Sequence, residues 1–240
     1  MLSSLPGIRK GLRTLAHPLF LAVLLRHRVV AASEHLVAIR QCAANTLIDV
    51  GANKGQFSVA FRRLRPHARI IAFEPLPEAA DTFARVFEAD DLTELLPYAL
   101  AGFDGSSQFH VADRPDSSSL LKPGERQAMA FGVHQASIID VPLKRLDHCL
   151  DLNSLERPIF LKVDVQGSEL GVFEGCLPLG DVDFIYVELS FVELYEGQPL
   201  FDEVHDYLVG RGFRMAGVYN QVSTPEFGPT QVDVLFESRR

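Results

Sequence analysis

An acidic residue and two glycines stand close together at the end of the first apolar run of the chain. Asp49 precedes Gly51 by two residues, and Gly55 follows just before a stretch with helical spacing. Gly51 permits a sharp turn because glycine has no Cβ, and Gly55 permits close packing of the next helix. A carboxylate beside such a turn repels a pyrophosphate and attracts positive charge. The pattern therefore predicts a nucleoside site for a cationic ligand without phosphate.

The glycine spacing argues against a dinucleotide. A dinucleotide-binding turn has the pattern G-x-G-x-x-G, but the second and third of those positions hold Asn53 and Gln56. A second acid, Glu74, ends the next apolar run. Its separation in sequence from the glycine turn is typical of an acid that accepts hydrogen bonds from ribose hydroxyls. S-adenosylmethionine (SAM), which has a sulfonium and an ammonium, fits both acids. The disfavoured alternative is an NAD or nucleotide-sugar oxidoreductase.

Two further acids, Asp164 and Glu188, end later apolar runs. In an open α/β sheet, ligands bind at the carboxyl ends of the parallel strands. Asp164 could contact the methyl donor, a substrate hydroxyl or a divalent metal, although it could also cap the next helix. For Glu188 a functional and a structural role have equal weight. Among the histidines, His134 gains weight because it borders an irregular segment, Arg114–Val133, that we expect to lie on the substrate side.

Alternating strands and helices must position these acids. The predicted strands are Thr46–Val50, Arg69–Phe73, Leu92–Leu100, Ile159–Asp164, Phe184–Glu188, Phe213–Val218 and Val232–Phe236. The predicted helices are Gln56–Arg65, Pro77–Glu88, Lys144–Leu150, Ser168–Gly175 and Leu200–Val209. This alternation predicts a mainly parallel sheet with helices on both faces. Only the short loop Tyr219–Gln231 separates the last two strands, so they should pair antiparallel. By alternation along its strand, Lys162 could pair with an acid such as Glu169 or Glu188.

Length and composition fit one α/β domain with an N-terminal extension. The chain has 240 residues, of which 47% are hydrophobic, and its net charge is −8. This charge argues against a nucleic-acid partner. We predict a helical extension over residues 1–44 and a catalytic domain over residues 45–240. The extension is basic, with Arg9, Lys10 and Arg13 near its start, so contact with a partner or a membrane surface is a lesser alternative.

Two further features bear on the compartment. The apolar run Pro18–Leu25 is shorter than the ~20 residues that a membrane span needs, so we expect no transmembrane helix. Cys42, Cys149 and Cys176 are scattered, which argues for a reducing, cytoplasmic compartment and against a disulfide framework or structural zinc. The sequence leaves the oligomeric state and the need for a metal open.

Seven motifs together resemble the FkbM-type methyltransferases. In chain order they are LIDVGANKGQFS, IIAFEP, YALAGFDG, SSSLL, VPLKRLDH, FLKVDVQGSELGVFEG and YVELSFVELYEGQPLF. They cover about Asn45–Val218. The resemblance implies the class I SAM-dependent methyltransferase fold, an α/β fold whose seven-stranded mixed sheet has an antiparallel last strand. It also implies transfer of the SAM methyl group to an oxygen, usually a hydroxyl of a sugar, a glycan or a natural product.

The same resemblance implies a cofactor-binding set. Its members are Asp49, Gly51, Asn53 and Gly55 for the methionine part, Glu74 for the ribose, Tyr98, Ala99 and Leu100 for the adenine, Asp164, Val165 and Gln166 at the reacting centre, and also Phe57 and Pro75. A hydroxyl is a poor nucleophile, so a base must take its proton during the transfer. Asp164 is the first candidate for this base, with Glu188 or His134 as helpers.

Two alternatives keep SAM but change the activity. An enzyme that methylates nitrogen often carries an Asn/Asp-Pro-Pro-Tyr turn after its fourth strand. Here that turn reads Asp164–Gly167, with the sequence DVQG, which disfavours a nitrogen acceptor. A non-catalytic SAM-binding protein is the other alternative, and it would bind SAM tightly without turnover.

Overall fold

Ten strands occur in residues 17–240, the part of the chain that the computed structural model describes. They are β1 (Thr46–Val50), β2 (Arg69–Phe73), β3 (Thr93–Leu96), β4 (Ala99–Leu100), β5 (Gly105–Ala112), β6 (Gln135–Lys144), β7 (Ile159–Val163), β8 (Phe184–Ser190), β9 (Phe213–Thr224) and β10 (Gly228–Ser238). Seven of them form one sheet in the order β3-β2-β1-β7-β8-β10-β9, and β4, β6 and β5 form a smaller sheet. In the large sheet β10 runs antiparallel to both neighbours, whereas the other pairings are parallel. The predicted mixed sheet with its reversed last strand is confirmed.

Helices cover both faces of the large sheet, as predicted. They are α1 (Pro18–His27), α2 (Leu36–Gln41), α3 (Gln56–Leu64), α4 (Pro77–Val86), α5 (Glu125–Phe131), α6 (Leu146–Cys149), α7 (Glu169–Glu174) and α8 (Phe201–Gly210). On one face, Phe20 of α1 and Phe61 of α3 pack in a cluster with Phe160 of β7. On the other, Phe173 of α7 and Leu208 of α8 pack in a second cluster. Each such buried side chain contributes roughly 1.5–3 kcal/mol of hydrophobic stabilisation.

Local sequence explains why α3 starts directly after the glycine turn. Phe57, Ala60 and Phe61 are buried, and their spacing puts them on one helical face. Arg62 and Arg63 stand in the last turn, where positive charge interacts favourably with the helix dipole. The helix thus holds its first turn against the carboxyl edge of the sheet.

Three predicted segments differ from the structure. The predicted strand Leu92–Leu100 is wrong because Pro97, which has no N–H to donate, separates β3 from β4, and these strands belong to different sheets. The predicted loop Tyr219–Gln231 is also wrong, because β9 and β10 continue through most of it as a hairpin. The irregular segment Arg114–Val133 contains the helix α5.

The N-terminal helices belong to the packed structure. Phe20 of α1 and Ile39 of α2 are fully buried in the same cluster as Leu47 of β1. The division between residues 44 and 45 stays a prediction, and Arg9, Lys10 and Arg13 lie outside the described residues. From residue 17 onward, no helix is long and apolar enough to cross a bilayer.

We expect Gly51→Ala to destabilise the protein more than Gly132→Ala. Both glycines have positive φ angles, +73° and +66°, so alanine is strained at either position. At Gly132 no atom lies within 4 Å of an added Cβ, whereas at Gly51 the Asp164 carbonyl oxygen lies 1.9 Å away. Gly132→Ala should cost about 1–2 kcal/mol, and Gly51→Ala about 3 kcal/mol or more. Urea unfolding measures both, and equal costs would contradict the tight contact.

Candidate functional site

A cavity of about 240 Å³ opens at the carboxyl edge of the large sheet. Of the predicted cofactor residues, all but Asp49 and Gly55 line it, namely Gly51, Asn53, Phe57, Glu74, Pro75, Tyr98, Ala99, Leu100, Asp164, Val165 and Gln166. The turns after β1, β2 and β7 meet there, because these strands are parallel neighbours. The smaller sheet adds the apolar wall of Ala99, Leu100 and Phe109. The predicted residues therefore converge on one cavity, and their binding of a cofactor stays a prediction.

Asp49 does not line the cavity, so the expectation that its carboxylate faces the ligand is wrong. The side chain is fully buried, and Ser58 donates a hydrogen bond of 2.6 Å to Asp49 Oδ2. Its Oδ1 lies 3.1 Å from Lys162 Nζ. Asp49 thus neutralises a buried lysine and supports the turn from behind.

Lys162 pairs with an acid, as the sequence suggested, but this acid is Asp49 and not Glu169 or Glu188. In-register pairing puts Asp49 directly opposite Lys162, and cross-strand partners share one face of the sheet. Lys162 Nζ also donates to the Gly51 carbonyl at 2.8 Å and lies 3.7 Å from Asp164 Oδ2. Burial alone lowers the pKa of Lys162, but the charges of Asp49 and Asp164 outweigh it and raise the pKa.

Gly55 also lies outside the cavity lining. Its φ angle is +89°, and an added Cβ would lie 2.8 Å from the Phe87 ring and 3.1 Å from the Phe83 ring. The glycine therefore permits close packing against the end of α4, rather than contact with a ligand. Gly51 remains at the cavity wall, where the Asp164 carbonyl fills the space of the missing side chain.

Glu74 holds the glycine turn while it lines the cavity. Glu74 Oε2 accepts a hydrogen bond of 2.7 Å from the Asn53 N–H, and Oε1 accepts one of 2.8 Å from the Leu76 N–H. Burial raises the pKa of Glu74 to about 7. Each carboxylate oxygen has a second lone pair, so Glu74 can also accept hydrogen bonds from a ligand.

Two acceptor atoms at the cavity fit a ligand rich in donors. Asn53 Oδ1 and Gln56 Oε1 are buried without a hydrogen-bond partner within residues 17–240, and both residues line the cavity. A buried polar atom without a partner is costly, so a bound donor would relieve that cost. An ammonium group and ribose hydroxyls supply such donors, and SAM carries both. The residues present therefore fit SAM.

Gln166 connects the two predicted catalytic acids. Its Nε2 donates to Asp164 Oδ1 at 2.7 Å and to Glu188 Oε2 at 2.9 Å. Its Oε1 accepts a hydrogen bond of 2.9 Å from the Tyr195 hydroxyl. The amide therefore has a fixed orientation, and it fixes the Asp164 carboxylate at the cavity wall.

Glu188 and His134 do not line the cavity, so neither helper assignment gains direct support from the lining. Burial raises the pKa of Glu188 well above its ordinary value, and the charges of Asp164 and Asp233 add to the rise. Glu188 Oε2 accepts the hydrogen bond of 2.9 Å from Gln166 Nε2 and thereby helps to hold the amide. His134 is exposed, and its backbone N–H donates to Asp113 at 3.1 Å. Nothing in this geometry brings the His134 ring to the reacting centre.

One part of the cavity lining has no signal in the sequence. Ala32, Glu34 and His35, from the segment between α1 and α2, line the cavity. No local pattern marks these residues, because their approach depends on how the N-terminal helices pack against the sheet. The expected substrate-side segment does reach the cavity, through Pro115, Asp116, Ser118 and Leu120.

Metal binding and thiol chemistry find little support at this site. Between residues 17 and 240 no three His, Cys, Asp or Glu side chains form a group that could hold a metal ion. Cys176 is buried, and burial raises the pKa of its thiol to about 12. Such a thiol is a poor nucleophile at neutral pH. The need for a metal stays open.

Comparisons with known proteins agree with this geometry. A family model described as the methyltransferase FkbM domain matches residues 49–215. The chain is 30% identical over 181 residues to the 2-O-methyltransferase NoeI of Sinorhizobium fredii, covering 72% of this chain and 74% of that protein. It is 27% identical over 233 residues to methyltransferase sdnD of Sordaria araneosa, covering 87% of each. Among solved structures, cofactor-bound Rv0187 from MTB is similar in fold, with a TM-score of 0.52, 13% identity and 100% of both chains covered.

We expect Lys162→Met to lower the free energy of unfolding by about 3–5 kcal/mol, because it leaves the Asp49 charge buried without a partner. Adding Asp49→Asn should restore part of this loss. A matched control is Lys122→Met, which breaks the exposed Lys122–Glu196 pair of 2.6 Å and should cost no more than about 1 kcal/mol. Urea unfolding of the variants tests this, and similar costs for Lys162→Met and Lys122→Met would contradict it.

Stability should depend on pH through Glu74. Burial raises its pKa from 4.5 to about 7 in the folded protein, so the folded state binds the proton more tightly than the unfolded state. Between pH 4.5 and 7 the wild type should therefore lose stability relative to Glu74→Gln as the pH rises. Urea unfolding of both proteins at several pH values measures the difference. A difference that stays constant across this window would show that the carboxyl does not titrate in this way.

Proposed function

The chain belongs to the FkbM methyltransferase family, and we propose that it transfers the methyl group of SAM to a hydroxyl of a sugar, a glycan or a natural product. It is a SAM-dependent methyltransferase with the class I fold. The relative from Sinorhizobium fredii is named a 2-O-methyltransferase, which supports an oxygen acceptor. The observation that carries the proposal is the convergence of the glycine turn, Glu74 and Asp164 on one cavity.

In this proposal the cavity binds SAM along its length. The apolar wall of Ala99 and Leu100 receives the adenine, and Glu74 accepts hydrogen bonds from the ribose. The acceptor atoms Asn53 Oδ1 and Gln56 Oε1 receive donors of the bound molecule. Asp49 acts indirectly, because its buried pair with Lys162 holds the turn.

The reaction requires the protein chiefly to align the acceptor hydroxyl with the methyl group and to supply a proton acceptor. SAM supplies a reactive methyl group on its sulfonium. Holding the acceptor hydroxyl in line with that methyl group and excluding water can supply much of the rate. In this proposal Asp164 takes the hydroxyl proton, while Gln166 fixes the carboxylate through its bond to Oδ1 at 2.7 Å. Glu188 and Tyr195 position Gln166 and do not contact the reacting atoms.

We also propose a domain organisation, an acceptor class and a cellular location for the protein. The helices α1 and α2 belong to an N-terminal extension of the methyltransferase domain at residues 45–240, and the acceptor is a small molecule or a glycan rather than a nucleic acid. The protein works in the cytoplasm, which the three free cysteines support. A non-catalytic SAM-binding protein and a nitrogen acceptor are the competing functions.

Two successive measurements test this function. Calorimetric titration with SAM and with NADH should show binding of SAM alone. Incubation with methyl-labelled SAM and a fractionated glycan and metabolite extract of the host should then transfer label to one fraction, in which mass spectrometry identifies a methyl ether. Label on nitrogen would overturn the oxygen acceptor. Tight SAM binding with no labelled product in any fraction would favour the non-catalytic protein.

We expect Asp164→Asn to lower turnover of the labelled acceptor by roughly 100-fold or more, the usual contribution of a positioned base. SAM affinity should change much less, because the asparagine keeps the size and most of the polarity of the side chain. Asp140→Asn, at an exposed position on β6, is the matched control and should behave like the wild type. Calorimetry and a radiometric assay give the two quantities, and wild-type turnover in Asp164→Asn would remove this residue as the base.

A further inference from the structure

His35 lies at the cavity wall although it comes from the N-terminal segment. Its Nδ1 lies 3.2 Å from Asp233 Oδ2 and 3.0 Å from the Tyr186 hydroxyl. The ring also packs 5.4 Å from the Phe57 ring at the start of α3. A histidine held by β8, β10 and α3 at once has a fixed position, and that position borders the cavity.

The hydrogen bonds around His35 determine which ring nitrogen carries the proton. The Tyr186 hydroxyl donates to Asp233 Oδ2 at 3.0 Å, and Asn220 Nδ2 donates to the same oxygen at 2.8 Å. Since the tyrosine proton is used in this way, the hydroxyl can only accept from His35, and Asp233 can only accept as well. A proton on Nδ1 therefore suits Asp233 and the tyrosine hydroxyl, and Asn220 Nδ2, which lies 3.2 Å from Nδ1, then donates to Asp233 instead. The other nitrogen, Nε2, lies 3.9 Å from Glu34 Oε1, which is longer than a hydrogen bond.

The order of strands in the large sheet places Glu74 and His35 on opposite sides of the glycine turn. Glu74 follows β2, which lies on one side of β1, and it lines the cavity together with Gly51. His35 contacts Tyr186 of β8 and Asp233 of β10, which lie on the other side of β1, and it also lines the cavity. A bound SAM molecule whose ribose lies at Glu74 therefore extends its amino-acid end, with an ammonium and a carboxylate, towards His35.

The charges of the cavity lining favour His35 as the group that binds the carboxylate of SAM. Among the described residues that line the cavity, only His35 and Lys162 can carry positive charge. Lys162 is already engaged by Asp49 Oδ1 at 3.1 Å and by the Gly51 carbonyl at 2.8 Å. The acids of the lining attract the ammonium and the sulfonium but repel a carboxylate. The carboxylate therefore needs a charged donor, and charge-assisted hydrogen bonds are the strong ones.

We propose that His35, oriented by Asp233, binds the carboxylate of SAM through Nε2. This inference rests on the proposed function, since it concerns the same bound molecule. A ring with hydrogen on both nitrogens donates from Nε2 to the ligand carboxylate on one side and from Nδ1 to Asp233 on the other. The groups that surround the ring are Glu34 on its own segment, Tyr186 on β8, Asn220 on β9 and Asp233 on β10. The N-terminal segment thereby becomes part of the cofactor site.

The test compares SAM with decarboxylated SAM, which lacks only the carboxylate, by calorimetry on the full-length protein. The wild type should bind SAM about tenfold or more tightly than the decarboxylated compound, as loss of a charge-assisted bond predicts. In His35→Gln this ratio should fall to about twofold or less, because the charged donor is gone. His67→Gln, at an exposed position, is the matched control and should keep the wild-type ratio.

Because the ratio is taken within each variant, a general loss of stability affects both ligands equally. Asp233→Asn provides a second variant, in which His35 keeps its ring but loses the carboxylate that orients it, and its ratio should lie between those of wild type and His35→Gln. An unchanged ratio in His35→Gln, or, if that variant does not fold, in Asp233→Asn, overturns the assignment. A wild type that binds neither compound overturns the proposed function instead, so the two failures are distinguishable.

Discussion

The buried pair of Asp49 and Lys162 is the interaction on which the site depends. The two side chains stand opposite each other on β1 and β7, with Asp49 Oδ1 and Lys162 Nζ 3.1 Å apart. Either charge alone would be costly in the core, because burial removes it from water. Lys162 also donates to the Gly51 carbonyl at 2.8 Å, so the pair that neutralises the core also fixes the turn. Contact between Gly51 and the Asp164 carbonyl then joins the turns after both strands.

This constraint explains why the acids of the site divide into two groups. Asp49 faces inward and is neutralised, so it contributes to position rather than to charge at the cavity. Glu74 and Asp164 face the cavity, and Lys162 offsets only part of their charge. The remaining negative charge suits a sulfonium and an ammonium, and it disfavours a pyrophosphate. The ligand preference thus follows from which acids are paired.

The predictable parts of this protein are those that rest on local sequence. β1, β2 and the glycine turn follow from apolar runs and glycine positions, and the reversed β10 follows from the short connection before it. The partner of Lys162 depends on the register between β1 and β7, which no local pattern encodes, so the sequence suggested an acid such as Glu169 or Glu188 and did not identify Asp49. His35 was missed because its approach to the cavity depends on how the N-terminal helices pack against the sheet, and no local pattern encodes this packing either. His134 was chosen for its closeness to an irregular segment, and that closeness in sequence did not bring its ring to the cavity.

Two parts of the cavity lining, residues 115–120 and His35, are anchored to the sheet at different places. Ser119, within the segment that supplies Pro115 and Leu120 to the lining, donates a hydrogen bond of 2.7 Å from its Oγ to the Gln166 carbonyl. The acceptor side is thereby tied to the turn that carries Asp164. His35, on the opposite wall, is tied to β8 and β10 through Tyr186 and Asp233. Since Ser119 is held by the turn after β7 and His35 by β8 and β10, the two parts of the lining are anchored separately. We therefore infer that the segment at residues 115–120 can vary in sequence with little effect on the position of His35.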